Sequence, residues 1–469
     1  MPEQKPAQPG APSGEDMMAF RSRYWILLAS TMLVAAPAHA DAAHEAELED
    51  RLKALEGAVG DLRSELAASR AQAQAATTAS TEKVAALEAS WAKQAKPEDG
   101  FRVGGTTVKI NGYFKTNASI SDYSGGVLGV RTAGRDFYVP GSIPVGGVDE
   151  GRDYEANAKQ TRIWLTTSTP IGKHMLKGHL EFDFQTSPGS EGNQRTTNGY
   201  NLAMRRAFIT YDNLTLGQEW SNFQYTPALP ESTDYVGPSE GTVFVRQMQL
   251  RYTKKLSKTV ALSAAVENAE TATITQADAT MTENADDRMP DFTARLLFTP
   301  AFGEFSLSGV VRQLSYHGTV ASADATGWGL SFAGKLPFGP DKRHDLRFMI
   351  THGEGIGRYV GLNFSPDAIR TGANTLETPE LTAGFAALRL GWTSQLRSTL
   401  MGSVQKVSYP AGLAPPNANK SAWSLAGNLF YSPVKPLDFG IEYRHGEREL
   451  VSGAKGQLDR LEFAAKYSF

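Results

Sequence analysis

The chain has 469 residues, 41% hydrophobic and 21% charged, with no cysteine and a formal charge of −3. This balance excludes a disordered polyelectrolyte and a disulfide scaffold. Beyond the N-terminal region no apolar run reaches the roughly 18 residues of a membrane-crossing helix, so a helical inner-membrane protein is excluded. A mean hydropathy of −0.33 leaves a membrane β-barrel open, because a barrel's apolar surface sits in alternate residues and averages out. Phe, Tyr and Trp number 22, 16 and 7, together as many as the 45 glycines, which suits strands and turns.

The first element is an export address. Arg21 and Arg23 precede the apolar run Trp25 to Ala36, and Ala38-His39-Ala40 supplies small residues before a cut at Asp41, the pattern of a secretory signal peptide over 1–40. Residues 1–16 are polar and proline-rich, which points to a start at Met17 or Met18. A single membrane anchor is the alternative, and the run is too short for it.

A coiled-coil helix over 41–100 follows. Leu48, Leu52, Leu55, Val59, Leu62 and Leu66 are spaced 4, 3, 4, 3, 4, one seam of a 3.5-residue repeat. The seam weakens at Ser69, Ala73 and Ala76, then resumes at Val84, Leu87 and Trp91, shifted as a stutter would shift it. Pro97 and Gly100 end it. A lone amphipathic helix is the other reading, but an isolated polar helix of this length buries little. The segment carries 12 acidic and 7 basic residues.

From 101 to 469 the pattern alternates with period two. Leu461, Phe463, Ala465, Tyr467 and Phe469 oppose Glu462, Ala464, Lys466 and Ser468, one apolar face and one wet. Sixteen such segments are expected, at 106–122, 159–169, 174–187, 200–211, 213–219, 243–253, 258–268, 290–299, 304–316, 326–337, 344–355, 381–394, 397–408, 420–431, 436–447 and 457–469. Connections after even strands are brief and most after odd strands are long. That sorting predicts an all-β fold, a 16-stranded antiparallel transmembrane β-barrel with periplasmic turns and external loops. Closure removes the edges that lipid cannot satisfy. Both chain ends then lie on the periplasmic side, which puts the helix there; a soluble sandwich gives no reason for the sorting.

The terminal aromatic Phe469 on an alternating strand resembles the signal read by the outer-membrane insertion machinery. The order of export peptide, heptad helix and Phe101-Arg102-Val103-Gly104-Gly105-Thr106-Thr107-Val108-Lys109-Ile110-Asn111-Gly112-Tyr113 resembles the DcaP-like porin family. The resemblance implies a homotrimer of sixteen-stranded barrels in the bacterial outer membrane, passing small negatively charged solutes such as dicarboxylates. It carries over no individual solute-contacting residue.

On the wet face the basic candidates are Lys109, Lys115, Lys177, Arg251, Arg295, Arg312, Arg347, Arg389, Arg444 and Arg460, with Lys466. Fewer acids share that face: Glu181, Asp183, Glu219, Glu267, Asp345, Glu442 and Glu462. Basic rings favour anions in a narrow pore, and arginine's planar fork suits carboxylates. The alternative is that these arginines pair with the acids and brace the barrel. The facing of Arg162, Arg205, Arg206 and Arg246 stays open, adjacent residues being expected to point opposite ways. The segment 220–242, with Tyr225, Glu231, Asp234 and Tyr235, is a candidate constriction loop by analogy with porins, or else an external loop packed on a neighbour.

No enzyme is expected, since neither G-x-S-x-G nor H-E-x-x-H occurs and the eight histidines are scattered. No metal or cofactor is indicated, and no basic patch with interleaved aromatics suggests nucleic acid. Gly353, Gly355 and Gly357 read as a flexible loop. The expected partners are small anionic solutes, outer-membrane lipid and two further copies of the chain. The competing function is a structural tether to the cell wall with a non-conducting barrel.

Overall fold

The computed structural model describes residues 42–93, 100–130, 132–185, 197–283, 287–318, 322–372 and 374–469; the expected export peptide lies outside them. The chain forms two units that part at Lys96 and Pro97. Among the described residues the first holds one helix, α1 (Ala42–Lys93), stitched on its surface by an Arg51–Glu47 pair at 2.9 Å one turn apart. Leu52, Leu55, Val59, Leu62 and Leu66 are all exposed within the single chain, by 45 to 65%, so the seam is bare.

The second unit is a closed antiparallel β-barrel. Its strands are β1 (Thr106–Tyr123), β2 (Arg162–Ile171), β3 (His174–Asp183), β4 (Ala203–Tyr211), β5 (Leu214–Trp220), β6 (Arg246–Lys255), β7 (Val260–Glu267) and β8 (Asp291–Phe298). The second half comprises β9 (Glu304–His317), β10 (Ser322–Phe338), β11 (His344–Glu354), β12 (Glu380–Gly391), β13 (Leu396–Ser408), β14 (Asn419–Val434), β15 (Leu437–Leu450) and β16 (Lys455–Ser468). Each strand pairs with the next, and β16 returns to β1 with Tyr113 opposite Ser468 and Tyr123 opposite Leu458. Closure leaves no edge for lipid to meet.

The sixteen expected strands are therefore present, with one difference at β2. Beyond a break at 158–161, Arg152–Asn157 continues β2 along the outer half of β1, Asp153 facing Ser121. The polar sequence Arg152-Asp153-Tyr154-Glu155 hid this extension, since its charges pair with a loop residue: Arg135 reaches Asp153 at 2.7 Å and Glu155 at 3.3 Å.

The alternation is inside-out relative to a soluble protein. On β1, Ile110, Phe114 and Ile120 are exposed while Lys115, Asn117, Ser119 and Ser121 are buried, because lipid is the apolar solvent and the wet face lines the lumen. Rings cluster on the outer surface near the turns: Phe114 lies 5.2 Å from Phe469, and Phe298 stacks on Phe305, which in turn stacks on Phe332. Such belts sit at lipid headgroups.

Turns of two to five residues follow the even strands. At the tightest, Gly172 and Asp212 take positive φ of 59° and 50°, and the hydrogen bonds of Asp212 with His174 and the Met175 N–H hold its carboxyl below the usual range. On the other side, 318–321 and 451–454 are as short as turns, while 124–151, 221–245, 268–290 and 355–379 are long. Two of the long loops join: Ala272–Thr275 pairs in parallel with Ala368–Gly372, in a small sheet completed by Thr282–Glu283 and Thr375–Glu377. Gly353, Gly355 and Gly357 are not a flexible loop, contrary to expectation. Ile356 and Tyr359 are fully buried, and a Cβ on Gly357 would lie 2.1 Å from the Ser365 carbonyl oxygen; the glycines permit close backbone packing.

Candidate functional site

The lumen is shaped by the loop 221–245 between β5 and β6, which folds inward along the wall. Its contacts proceed around the ring. Asn222 takes its N–H to Glu267 on β7, Phe223 offers its carbonyl to Ser308 on β9, and Tyr225 donates to Glu304 at 2.8 Å. Leu229 accepts from Arg347 on β11. Glu231 receives a two-pronged bond from Arg397 on β13, at 2.6 and 2.7 Å. Ser232 donates to Glu442 on β15, and the Thr233 carbonyl accepts from Lys115 and Asn117 on β1. The return arm presses Gly241 against β12, where a Cβ would lie 2.2 Å from the Gly384 carbonyl carbon.

Within this loop Asp234 is spent on local structure, accepting from the N–H groups of Tyr138, Val236 and Gly237. Tyr235 points the other way and reaches Asp183 and Arg205. Glu240, which the sequence reading missed, is fully buried beside Tyr138 and Ser424.

The inward loops remove several expected cations from the open lumen. Lys115 is buried, bonded to Gln160 at 2.6 Å and to the loop. Arg312 is enclosed between Asp367 at 2.9 Å and Asp291 at 3.4 Å, with Tyr359 under its guanidinium. Arg444 pairs with Glu442 at 2.9 Å and lies 4.7 Å over Tyr138. Arg460 is buried on Ser121, Tyr123 and the Gly134 carbonyl. Lys115, Arg312 and Arg460 are braces, donating to the Thr233, Gly355 and Gly134 carbonyls where the loop backbones meet the wall, whereas Arg444 donates to Glu442 and Ser424 of the wall itself. Lys466 pairs with Asp438 at 3.1 Å.

A second group faces β2 to β8. Arg162, Arg205, Arg206 and Arg246 all point inward. A β-bulge between Glu181 and Phe182 pairs Glu181 with Arg206 and Phe182 with Met204, leaving Arg205 as the extra residue, so two adjacent arginines enter the lumen together. Strict alternation could not foresee this. Arg205 binds Glu181 at 2.6 Å and Asp183 at 2.8 Å; Arg206 binds Glu219 at 2.7 Å and Glu181 at 3.1 Å. Arg162 reaches Asp183 at 3.1 Å. Arg246 lies 5.1 Å over Trp220.

Next to them, Arg251 shares the inward face of β6 with the buried Gln247 and Gln249, and no described carboxylate lies within ion-pair range of it. Arg295 on β8 donates to the Gln224 carbonyl at 2.8 Å and has no carboxylate partner among the described residues. Lys177 is exposed at the turn end of β3, opposite Thr210 on the inward register, and Lys109 is half-buried on β1. Arginines on alternate strands β4, β6 and β8 thus form a cationic wall. The loop's acids, Glu231, Asp234 and Glu240, are tied elsewhere.

At the turn end of β8 to β12 a cavity of about 730 Å³ opens, lined by Glu231, Glu304, Asp345, Lys335, Arg347 and Arg389 among others. Arg347 chelates Asp345 at 2.6 Å, and Arg389 sits 3.6 Å from Glu231, so this vestibule mixes both signs. Among the described residues no cluster of His, Cys, Asp or Glu could hold a metal.

A family model described as DcaP outer membrane protein matches residues 46–469. The chain belongs to the DcaP outer membrane protein family. It is therefore an outer-membrane protein whose family architecture is this barrel. It is similar to the crystal structure of the outer membrane channel DcaP of Acinetobacter baumannii, with a TM-score of 0.65 and 26% identity, covering 79% of this chain and 99% of that one. Two more solved structures resemble it remotely. OmpT, an outer membrane protein of Vibrio cholerae, gives a TM-score of 0.48 at 10% identity, covering 79% of this chain and all of the other. An anion-selective porin from Comamonas acidovorans gives 0.49 at 8%, covering 78% of this chain and all of the other. No curated protein matches the chain.

Proposed function

We propose that this porin-family channel passes small solutes down their gradients and prefers anions, with dicarboxylates as the reference class. The observation that carries the reading is the wall of Arg206, Arg251 and Arg295, of which the last two have no described carboxylate partner. In a water-filled, low-dielectric ring such charges lower the energy of a passing anion, and a guanidinium fork matches a carboxylate oxygen pair. The inward loop narrows the passage, and nothing in the reading calls for an energy source or a catalytic role.

The same proposal covers the ends of the chain. Residues 1–40 act as the export peptide, 41–100 as a periplasmic coiled coil and 101–469 as the barrel. The bare heptad seam of α1 supports assembly into a homotrimer through the helix and the barrel. The extent to which buried loops occupy the lumen favours a second reading, a tether to the cell wall around a closed barrel. Reversal potential in a planar bilayer under a salt gradient separates them. Anion preference with transient block by a dicarboxylate supports the channel, cation preference refutes the selectivity, and absent conductance favours the tether.

A further inference from the structure

On the lipid-facing side of β5 to β10 a recess of about 690 Å³ is set into the wall. One row of paired residues makes its floor. Leu214 faces Tyr252, Tyr252 faces Ala264, Ala264 faces Ala294, Ala294 faces Gly309 and Gly309 faces Leu330. The three small residues in the middle leave a trough between two exposed ridges. Leu250, Val266, Phe292, Val311 and Trp328 stand on its loop side, and Leu262, Leu296 and Leu307 on its turn side. Because the strands tilt, the row climbs: Leu214 is the first residue of β5, whereas Leu330 lies eight residues from the turn end of β10 at Phe338. With strands about 4.8 Å apart, the stretch from Tyr252 to Leu330 is about 19 Å long, against about 15 Å for the hydrocarbon of one leaflet.

The low end of the trough meets a cationic turn. Lys254 is the next outward residue after Tyr252 on β6 and opposes Leu262 of the lower ridge, while Lys255 and Lys258 follow in the turn to β7; all three are exposed. No described carboxylate lies within ion-pair range of any of them. Other turns are less basic: Lys173 and Lys435 stand singly in theirs, and Lys342 and Arg343 share theirs with Asp341, which pairs with Arg343 at 3.1 Å. Exposed Tyr211 and Tyr252 flank the entry, marking it as the headgroup level. An apolar trough that rises from three uncompensated lysines toward mid-bilayer has the form of an acyl chain below an anionic head.

We propose that this wall is a binding site for one anionic glycerophospholipid of the turn-side leaflet. Its phosphate sits on Lys254, Lys255 and Lys258, and one acyl chain lies along Ala264, Ala294 and Gly309. Within a bilayer the chain gains no burial from water, so the trough contributes contacts and orientation, and the lysines contribute the preference for negative headgroups. The site fixes β6 and β7 at a set depth in the membrane. It lies on the outer surface, across the wall from the arginines of the lumen, and stands whether or not those select anions.

The test is native mass spectrometry of the full chain, delipidated in detergent and titrated with phosphatidylglycerol or with phosphatidylcholine of the same chains. A saturable first phosphatidylglycerol adduct is expected, with phosphatidylcholine weaker by about tenfold or more. Replacing Lys254, Lys255 and Lys258 together by Gln should bring the two lipids to within about threefold, while Lys435→Gln, at a distant turn, leaves the preference intact. Gly309→Leu fills the trough, and the fold admits it, since a Cβ there lies at an ordinary 3.4 Å from Leu330 Cδ2; it should weaken phosphatidylglycerol about threefold or more through lost contacts. Heat-dependent mobility on a gel verifies that the variants are folded barrels. Equal retention of the two lipids by the wild type, a preference unchanged in the triple variant, or unaltered affinity in Gly309→Leu overturns the proposal. So does a Gly309→Leu protein whose oligomer mass falls while its lipid adducts persist, which would assign the trough to a second copy of the chain.

Discussion

The arginines of the lumen divide by what they touch. Arg312 and Arg444 face carboxylates within 3 Å, and Arg312 also carries loop carbonyls, whereas Arg251 and Arg295 have no described carboxylate partner. Removing a brace leaves a buried carboxylate uncompensated, which costs about 3–5 kcal/mol; Arg312→Met should therefore lower the thermal unfolding temperature measured by circular dichroism. Removing Arg251, which has no described partner, should spare stability and change transport, whereas Arg295 also holds the Gln224 carbonyl of the inward loop at 2.8 Å. Arg251→Gln with Arg295→Gln is expected to move the reversal potential toward zero, since each charge is worth on the order of 1 kcal/mol to an ion a few ångströms away in water. An unaltered potential would refute their role. Gly241 makes a steric case: Gly241→Val places atoms inside the β12 backbone, at about 1–3 kcal/mol or more for overpacking, and should dislodge the inward loop and raise single-channel conductance.

At the scale of elements, the inward loop is held by charge-assisted bonds at spaced points. The fork between Arg397 and Glu231 is half-buried, and such bonds contribute about 1.5–3 kcal/mol. Glu231→Gln weakens the fork without changing side-chain size, so open-channel current noise should rise while the barrel remains intact on a gel. Equal noise would mean that the remaining contacts suffice to hold the loop. Helix α1 poses the opposite problem, an apolar seam with nothing on it. Leu55→Lys with Leu62→Lys should shift the proposed trimer toward monomer in analytical ultracentrifugation, because two charges in a seam cannot be desolvated; an unchanged oligomer would assign assembly to the barrel alone.

For the molecule as a whole, sixteen strands and a closed ring put every strand's backbone in a ladder, and the lipid-facing side chains need only be apolar. This explains why so much was legible. Period-two alternation marked β8, β9 and β16 to within two residues, and the sorting of turns from loops revealed the topology without any contact being known. The resemblance of the junction at 101–113 to DcaP-like porins pointed to the family that residues 46–469 match.

The sequence by itself determined the fold class, strand number and lipid-facing surface, since these follow from a local rule, alternate residues meeting alternate solvents. Tertiary structure alone decided the lumen. A bulge turned Arg205 and Arg206 to one side, loops distant in sequence claimed Lys115, Arg312 and Arg460, and β15 runs three residues past its expected end at 447, to Leu450. Whether a cation braces or remains open depends on which carboxylate or carbonyl comes within 3 Å of it. That is a matter of loop packing across the ring, and no periodicity along the chain encodes it.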